Sequence, residues 1–193
     1  MRHSVTCGIL AGGPSSRMGQ NKALMEFRGK PLLQRQIALL SPLFKEVIVA
    51  ANDPVPYAPF NVRVVPDLLG ERCALTGIHA VLKTASRPRV FVIACDMPFV
   101  NPALIEMMFA VPGNPDVVVP ESDRGLEPLH AYYGPWCIGA IEDSARRGAW
   151  KVTDFYDQVR VARVPVKVAD WLVDGQSPFL NANTPDEWRR AAP

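Results

Sequence analysis

Val5-Thr6-Cys7-Gly8-Ile9-Leu10-Ala11-Gly12-Gly13-Pro14-Ser15-Ser16-Arg17-Met18-Gly19-Gln20-Asn21-Lys22 joins a short apolar run to a segment rich in glycine and bearing two cations. Residues 5–10 have the length and apolar content of a buried parallel strand. The glycine pair that follows lets the backbone approach an anion closely, with successive N–H groups turned into one concavity. Alone, the pair reads as a tight turn. Arg17 and Lys22 change that reading, because a guanidinium grips phosphate oxygens in a fork and an ammonium acts as a point charge. Together they suit a polyphosphate. Two other phosphate loops do not match: Gly13 and Gly19 are one residue too far apart for Gly-x-x-x-x-Gly-Lys, and Gly-x-Gly-x-x-Gly is absent.

Working outward, short runs at 46–50, 62–65, 90–94 and 117–119 repeat the strand pattern, and amphipathic stretches at 31–43, 75–84, 102–109 and 135–145 separate them. The first of these places Leu33, Ile37 and Leu40 on one face behind a proline suited to a first helical turn. Alternating strands and helices predict an α/β fold of three layers, a doubly wound, mostly parallel sheet with helices on both sides. Residues 129–133 and 158–164 read as extra strands, and 184–192 as a terminal helix capped by Thr184. One domain spanning 1–193 is expected, with no repeat or linker.

A net charge of +2 is too small to mark a nucleic-acid or membrane surface, so any positive charge that matters is local. No stretch reaches the roughly 18 apolar residues of a membrane span. The four cysteines are widely spaced without a Cys-x-x-Cys pair, which argues against a zinc site or disulfide framework and for a cytoplasmic protein.

Ligands of such sheets bind outside the carboxyl ends of the strands. Asp96 ends the run Val90-Phe91-Val92-Ile93-Ala94-Cys95, where a rigid carboxylate can anchor magnesium together with substrate phosphates, or cap the next helix. Asn101 before Pro102 already suits the cap. Asp67 and Asn52 end two other strands, and each is also an ordinary turn residue.

Leu10-Ala11-Gly12-Gly13-x-x-x-Arg17-Met18-Gly19-x-x-Lys22 resembles the signature loop of the molybdenum cofactor guanylyltransferases, within the wider class of sugar-type nucleotidyltransferases. Lys30-Pro31-Leu32, Cys95-Asp96-Met97-Pro98 and Asn181-Ala182-Asn183-Thr184-Pro185 resemble further family elements in the same order. The resemblance implies a Rossmann-like, nucleotide-diphospho-sugar transferase-like fold and a magnesium-assisted transfer of GMP from GTP to the phosphate of molybdopterin. It implies Arg17, Lys22 and Asp96 as catalytic, with Asp96 on the metal. Leu10, Ala11, Gly12, Gly13, Lys22, Asn52, Asp67, Gly77 and Asp96 would contact the nucleotide. Lys151, Asn181 and Asn183 would contact the acceptor, although Arg146, Arg147 and Lys151 equally suit a solvated helix end. Proteins that deliver the cofactor or mature molybdoenzymes are the partners such a role implies. Glu127-Pro128 resembles a family element without an assigned role, and His79 and His130, in apolar surroundings with no paired carboxylate in view, read as structural.

One stretch departs from the family. Where Gly-Pro-Leu-Ala-Gly is usual, this chain has Cys73-Ala74-Leu75-Thr76-Gly77, which alters backbone freedom beside the expected nucleoside. A cytidylyltransferase on the same cofactor usually has Leu-Ala-Ala-Gly where this chain has Leu10-Ala11-Gly12-Gly13. A sugar-phosphate nucleotidyltransferase lacks the C-terminal asparagine pair. A non-catalytic pterin or nucleotide carrier has no need of Arg17, Lys22 and Asp96.

Overall fold

The computed structural model describes residues 3–12 and 21–182. The predicted terminal helix at 184–192, and Gly13, Arg17 and Asn183 among the expected site residues, lie outside the described residues.

The strands are β1 (His3–Leu10), β2 (Glu26–Phe27), β3 (Lys30–Pro31), β4 (Phe44–Ala50), β5 (Arg63–Val65), β6 (Val90–Ala94), β7 (Val117–Ser122), β8 (Gly125–Leu126), β9 (His130–Tyr133) and β10 (Val161–Pro165). The helices are α1 (Leu32–Leu40), α2 (Ala74–Thr84), α3 (Pro102–Phe109) and α4 (Cys137–Arg146). The main sheet runs β10-β7-β9-β6-β1-β4-β5, with β8 folded back on β7, and β2 and β3 form a separate small hairpin. β1 pairs in parallel with β4 and β6, β4 with β5, and β7 with β10. Within that seven-strand order β9 reverses, lying antiparallel between β6 and β7, and β8 is antiparallel to β7. The mostly parallel α/β architecture agrees with the sequence reading, and residues 129–133 and 158–164 do supply two added strands.

Alternation along the strands builds two cores. Phe91 and Ile93 of β6 pack with Leu33 and Leu40 of α1 and with Leu104 and Met108 of α3. Val90 and Val92 face the opposite way, onto Ile78 of α2 and Ile141 of α4. All five residues of β6 are buried, which is why it reads as an unbroken apolar run. Gly8 has a packing reason: a Cβ there would lie 2.7 Å from Val81 Cγ1, so glycine lets α2 settle close on β1. Asn101 caps α3 through the N–H groups of Ala103 and Leu104, as expected, and leaves Asp96 outside that role.

Candidate functional site

Beyond the ends of the parallel strands the ladders continue as single backbone bonds. Ala11 N–H donates to Ala50 O, Ala51 N–H to Val65 O, Cys95 N–H to Leu10 O and Ala94 N–H to Leu129 O, at 2.9–3.1 Å. These bonds gather the loops after β1, β4, β5 and β6 around a cavity of about 180 Å³. Leu10, Ala11, Gly12, Lys22, Asp67, Gly77 and Asp96 all line it. Every described residue expected to contact nucleotide is therefore on one wall or another, except Asn52. That residue lines an adjoining depression and braces Asp67: its Nδ2 donates to Asp67 Oδ2 at 2.8 Å and its Oδ1 accepts the Asp67 N–H at 2.9 Å.

Lys22 opens a short 3-10 turn in which Asn21 Oδ1 accepts the Ala23 N–H, while the Ala23 side chain anchors the turn in the core. Lys22 Nζ lies 3.0 Å from Asp96 Oδ2. The two side chains are 19% and 16% exposed, so their attraction is screened far less than a surface pair's. Asp96 is held by its backbone as well, since its carbonyl accepts the Ala182 N–H at 3.0 Å. That bond brings the C-terminal segment against the Asp96 backbone; Asn181, the residue before Ala182, is absent from the cavity lining, and its Oδ1 is buried without a partner among the described residues.

Cys73 lines the cavity at the start of α2. Its side chain accepts the Thr76 N–H, and Thr76 Oγ1 accepts the Cys73 N–H, a reciprocal cap. The replacement of Gly-Pro thus leaves a well-formed helix start. Gly77 faces Leu10, where an added Cβ would come within 3.2 Å of Cδ2. Cys95 also lines the cavity, but burial above all, with the Asp96 charge adding, pushes its thiol up to about 12. It is neither a thiolate ligand nor a nucleophile at neutral pH.

Lys151 is exposed and absent from the cavity lining; its N–H closes a turn on Asp154 Oδ2. Arg146 pairs with Asp143. Glu127 precedes the cavity-lining Leu129, accepts a hydrogen bond from Ser122, and is raised by burial above the usual carboxylate range. His130 is wholly buried, edge-on to Phe91 and Phe179. His79 requires a correction: it does have a carboxylate partner, Glu142 Oε1 of α4 at 2.9 Å, contributed by a helix 63 residues away that no local reading of the sequence connects.

Two residues that brace the site from outside the cavity lining were missed. Tyr57, in a proline-rich 3-10 segment (Val55–Phe60), accepts from Asn21 Nδ2 and donates to Ala11 O, tying together the positions on either side of residues 13–20. Gln36 donates from α1 to the carbonyls of Ala94 and Met97. Tyr57 gave no periodic signal, whereas a glutamine beside the Leu33–Leu40 stripe was a visible anomaly.

Among the described residues no cluster of three His, Cys, Asp or Glu side chains could hold a metal by itself. A single shielded carboxylate fits magnesium that arrives with phosphate oxygens and water. It does not fit a closed protein cage.

Residues 7–161 match the family described as the MobA-like NTP transferase domain. The chain is 42% identical over 183 residues to a probable molybdenum cofactor guanylyltransferase of Pelotomaculum thermopropionicum, covering 95% of this chain and 89% of that one. It is 34% identical to the molybdenum cofactor guanylyltransferase of Desulfosudis oleivorans, covering 97% and 94%. Among solved structures it resembles molybdopterin-guanine dinucleotide biosynthesis protein A from Archaeoglobus fulgidus, with a TM-score of 0.83, 26% identity and 97% of both chains covered.

Proposed function

The chain belongs to the MobA-like NTP transferase family, among its molybdenum cofactor guanylyltransferases, and on that premise we propose that it transfers GMP from GTP to the terminal phosphate of molybdenum–molybdopterin. It is a nucleotidyltransferase of molybdopterin cofactor biosynthesis; guanine as the base and magnesium as the metal are the finer part of the reading. The observation that carries it is the Lys22–Asp96 pair, a cation and a carboxylate shielded together at the rim of a cavity walled by Leu10, Ala11 and Gly12.

In this reading the triphosphate lies along the loop after β1. Among the described residues an added Cβ on Gly12 would meet nothing closer than 3.5 Å, so in this reading the glycine serves to admit a phosphate close to the backbone. Lys22 and Arg17 hold the phosphates and stabilise the negative charge that grows on the leaving pyrophosphate. Asp96 would hold magnesium jointly with phosphate oxygens, and the bound ion supplies charge neutralisation for the transfer. An oxygen of the molybdopterin phosphate forms the new bond to the α-phosphorus while the bond to the bridging β-phosphate oxygen breaks. The nucleophile is already an anion, so no protein base is required, and the rate rests on alignment. Asn181 and Asn183 offer amides to the pterin. The four unpaired thiols suit a reducing, cytoplasmic setting.

The test is pyrophosphate release by the purified protein with magnesium, molybdopterin cofactor and either GTP or CTP. Release that needs both cofactor and GTP is the expected result. Release with CTP alone would move the base specificity. Release with neither, from protein that still binds the cofactor, would replace the enzyme by a carrier.

A further inference from the structure

The buried face of α1 consists of Leu32, Leu33 and Leu40, and of one amide, Gln36, which is 2% exposed. Its Nε2 donates to two carbonyls of another segment, Ala94 O and Met97 O, each at 2.9 Å. Those carbonyls bracket Cys95 and Asp96. The turn is closed weakly by its own backbone, with Met97 N–H reaching Ala94 O only at 3.4 Å. Gln36 Oε1, meanwhile, is buried with no partner among the described residues.

An amide here is a poor choice for stability alone. A buried acceptor without a partner is destabilising, and an apolar side chain of like volume would avoid it. The two N–H groups account for the amide, because they reach across from α1 and pin both ends of the turn. We propose that Gln36 is a positioning residue that holds the Ala94–Met97 turn, and so fixes where Asp96 presents its carboxylate to a metal–triphosphate. This rests on the nucleotidyl-transfer reading above for what Asp96 binds, but not for how the turn is held. Two anchors act on the same short stretch from opposite partners: Gln36 on the carbonyls at either end and Ala182 on the Asp96 carbonyl between them. Freeing the ends lets the carboxylate drift, and displacements on the order of 1 Å at such a group cost large factors in rate.

Gln36→Met, close in volume and without a donor, separates the readings, with Leu33→Met on the same buried face as the packing control. Two measurements are made on each protein: amide exchange by NMR at the Met97 and Ala182 N–H groups, and calorimetric binding of manganese with GTP. In folded Q36M, both amides should exchange at least about fivefold faster, and metal–nucleotide affinity should fall about tenfold. Leu33→Met should change neither. Wild-type exchange and affinity in Q36M would overturn the proposal, as would equal losses in Leu33→Met. If Q36M does not fold, Gln36→Asn keeps an amide that is too short to reach, and the same outcomes apply. Failure of the wild-type protein to bind manganese with GTP would overturn the nucleotidyl-transfer reading instead. Exchange would then decide alone: faster in Q36M supports the positioning role and unchanged overturns it.

Discussion

The sheet divides at β6 into two unlike halves. On one side β6, β1, β4 and β5 all run in the same direction, so each strand finishes at the cavity and delivers its last residue or following loop there. On the other side β9 reverses, so it starts where β6 finishes, and the residue before it, Leu129, reaches the same rim through the Ala94 N–H bond. The parallel half brings Gly12, Lys22 and Asp96 to the cavity; the mixed half brings Leu129 to its wall and keeps the His130 ring buried in the core. Position in the sheet sets these roles: parallel strands bring many different loops to one end, while an antiparallel strand brings only its beginning.

If the chemistry belongs to the parallel half, the largest effects on turnover come from its paired charges, Lys22 and Asp96. Lys22→Ala or Asp96→Ala should lower the rate of pyrophosphate release about a hundredfold or more, the scale for one preorganised electrostatic group. The double variant should cost much less than the product of the two, because the partners already touch. A folded single variant with a near-normal rate would break the assignment of that residue.

The mixed half should respond in stability rather than turnover. Burial lowers the His130 imidazole from 6.5 to about 3, and no hydrogen bond satisfies either ring nitrogen among the described residues. Between those values the unfolded chain carries a proton at this position and the folded chain does not. Stability is therefore complete above pH 6.5 and declines as the pH falls towards 3, by roughly 1.4 kcal/mol per unit and a few kcal/mol in all. Urea unfolding at pH 7.0, 6.0 and 5.0 should show that decline. His130→Phe, which keeps a ring against Phe91 and Phe179, should flatten it and leave release at neutral pH within about twofold. An identical acid dependence in both proteins would remove His130 as its cause.

The same division explains what the sequence made legible. Residues 5–10 and 90–94 announce themselves because strands buried on both faces are continuous apolar runs, and the glycine–cation loop follows the first of them directly. The end of a parallel strand then locates Asp96 in the site. The direction of β9 left no such mark: four residues of His-Ala-Tyr-Tyr pair equally well either way, and their orientation depends on the turn at 127–129 and on the neighbours. Contacts between distant side chains were also out of reach. Lys22 and Asp96 are 74 residues apart, and His79 and Glu142 are 63 apart, so only the assembled fold makes them pairs. Gln36 is intermediate, since its misfit on an apolar helix face was readable but its target was not.

Tyr57 tests how firmly the parallel half holds its loop. Tyr57→Phe keeps the buried ring and removes the hydroxyl that links Asn21 to Ala11. Losing one or two such bonds is worth about 1 kcal/mol, so nucleotide KM should rise about fivefold with kcat within twofold. A fall in kcat at constant KM would mean that the hydroxyl acts on the transfer step instead of on binding.

The smallest effect is expected at Cys73, where the chain departs from its family. The thiol caps α2 by accepting the Thr76 N–H, a task that a hydroxyl performs better. Cys73→Ser should therefore raise the melting temperature by about 1 °C, a few tenths of a kcal/mol for a chain of this size. Cys73→Ala should lower it by about 2 °C through loss of the cap. Pyrophosphate release should stay within about twofold in the serine variant, because the cap fixes the helix start at the cavity wall and either atom supplies it. A large loss of release in Cys73→Ser, with the helix start intact, would instead give the sulfur a direct role in holding the nucleoside. That outcome would make the departure from Gly-Pro a change of specificity and not only another way to begin the same helix.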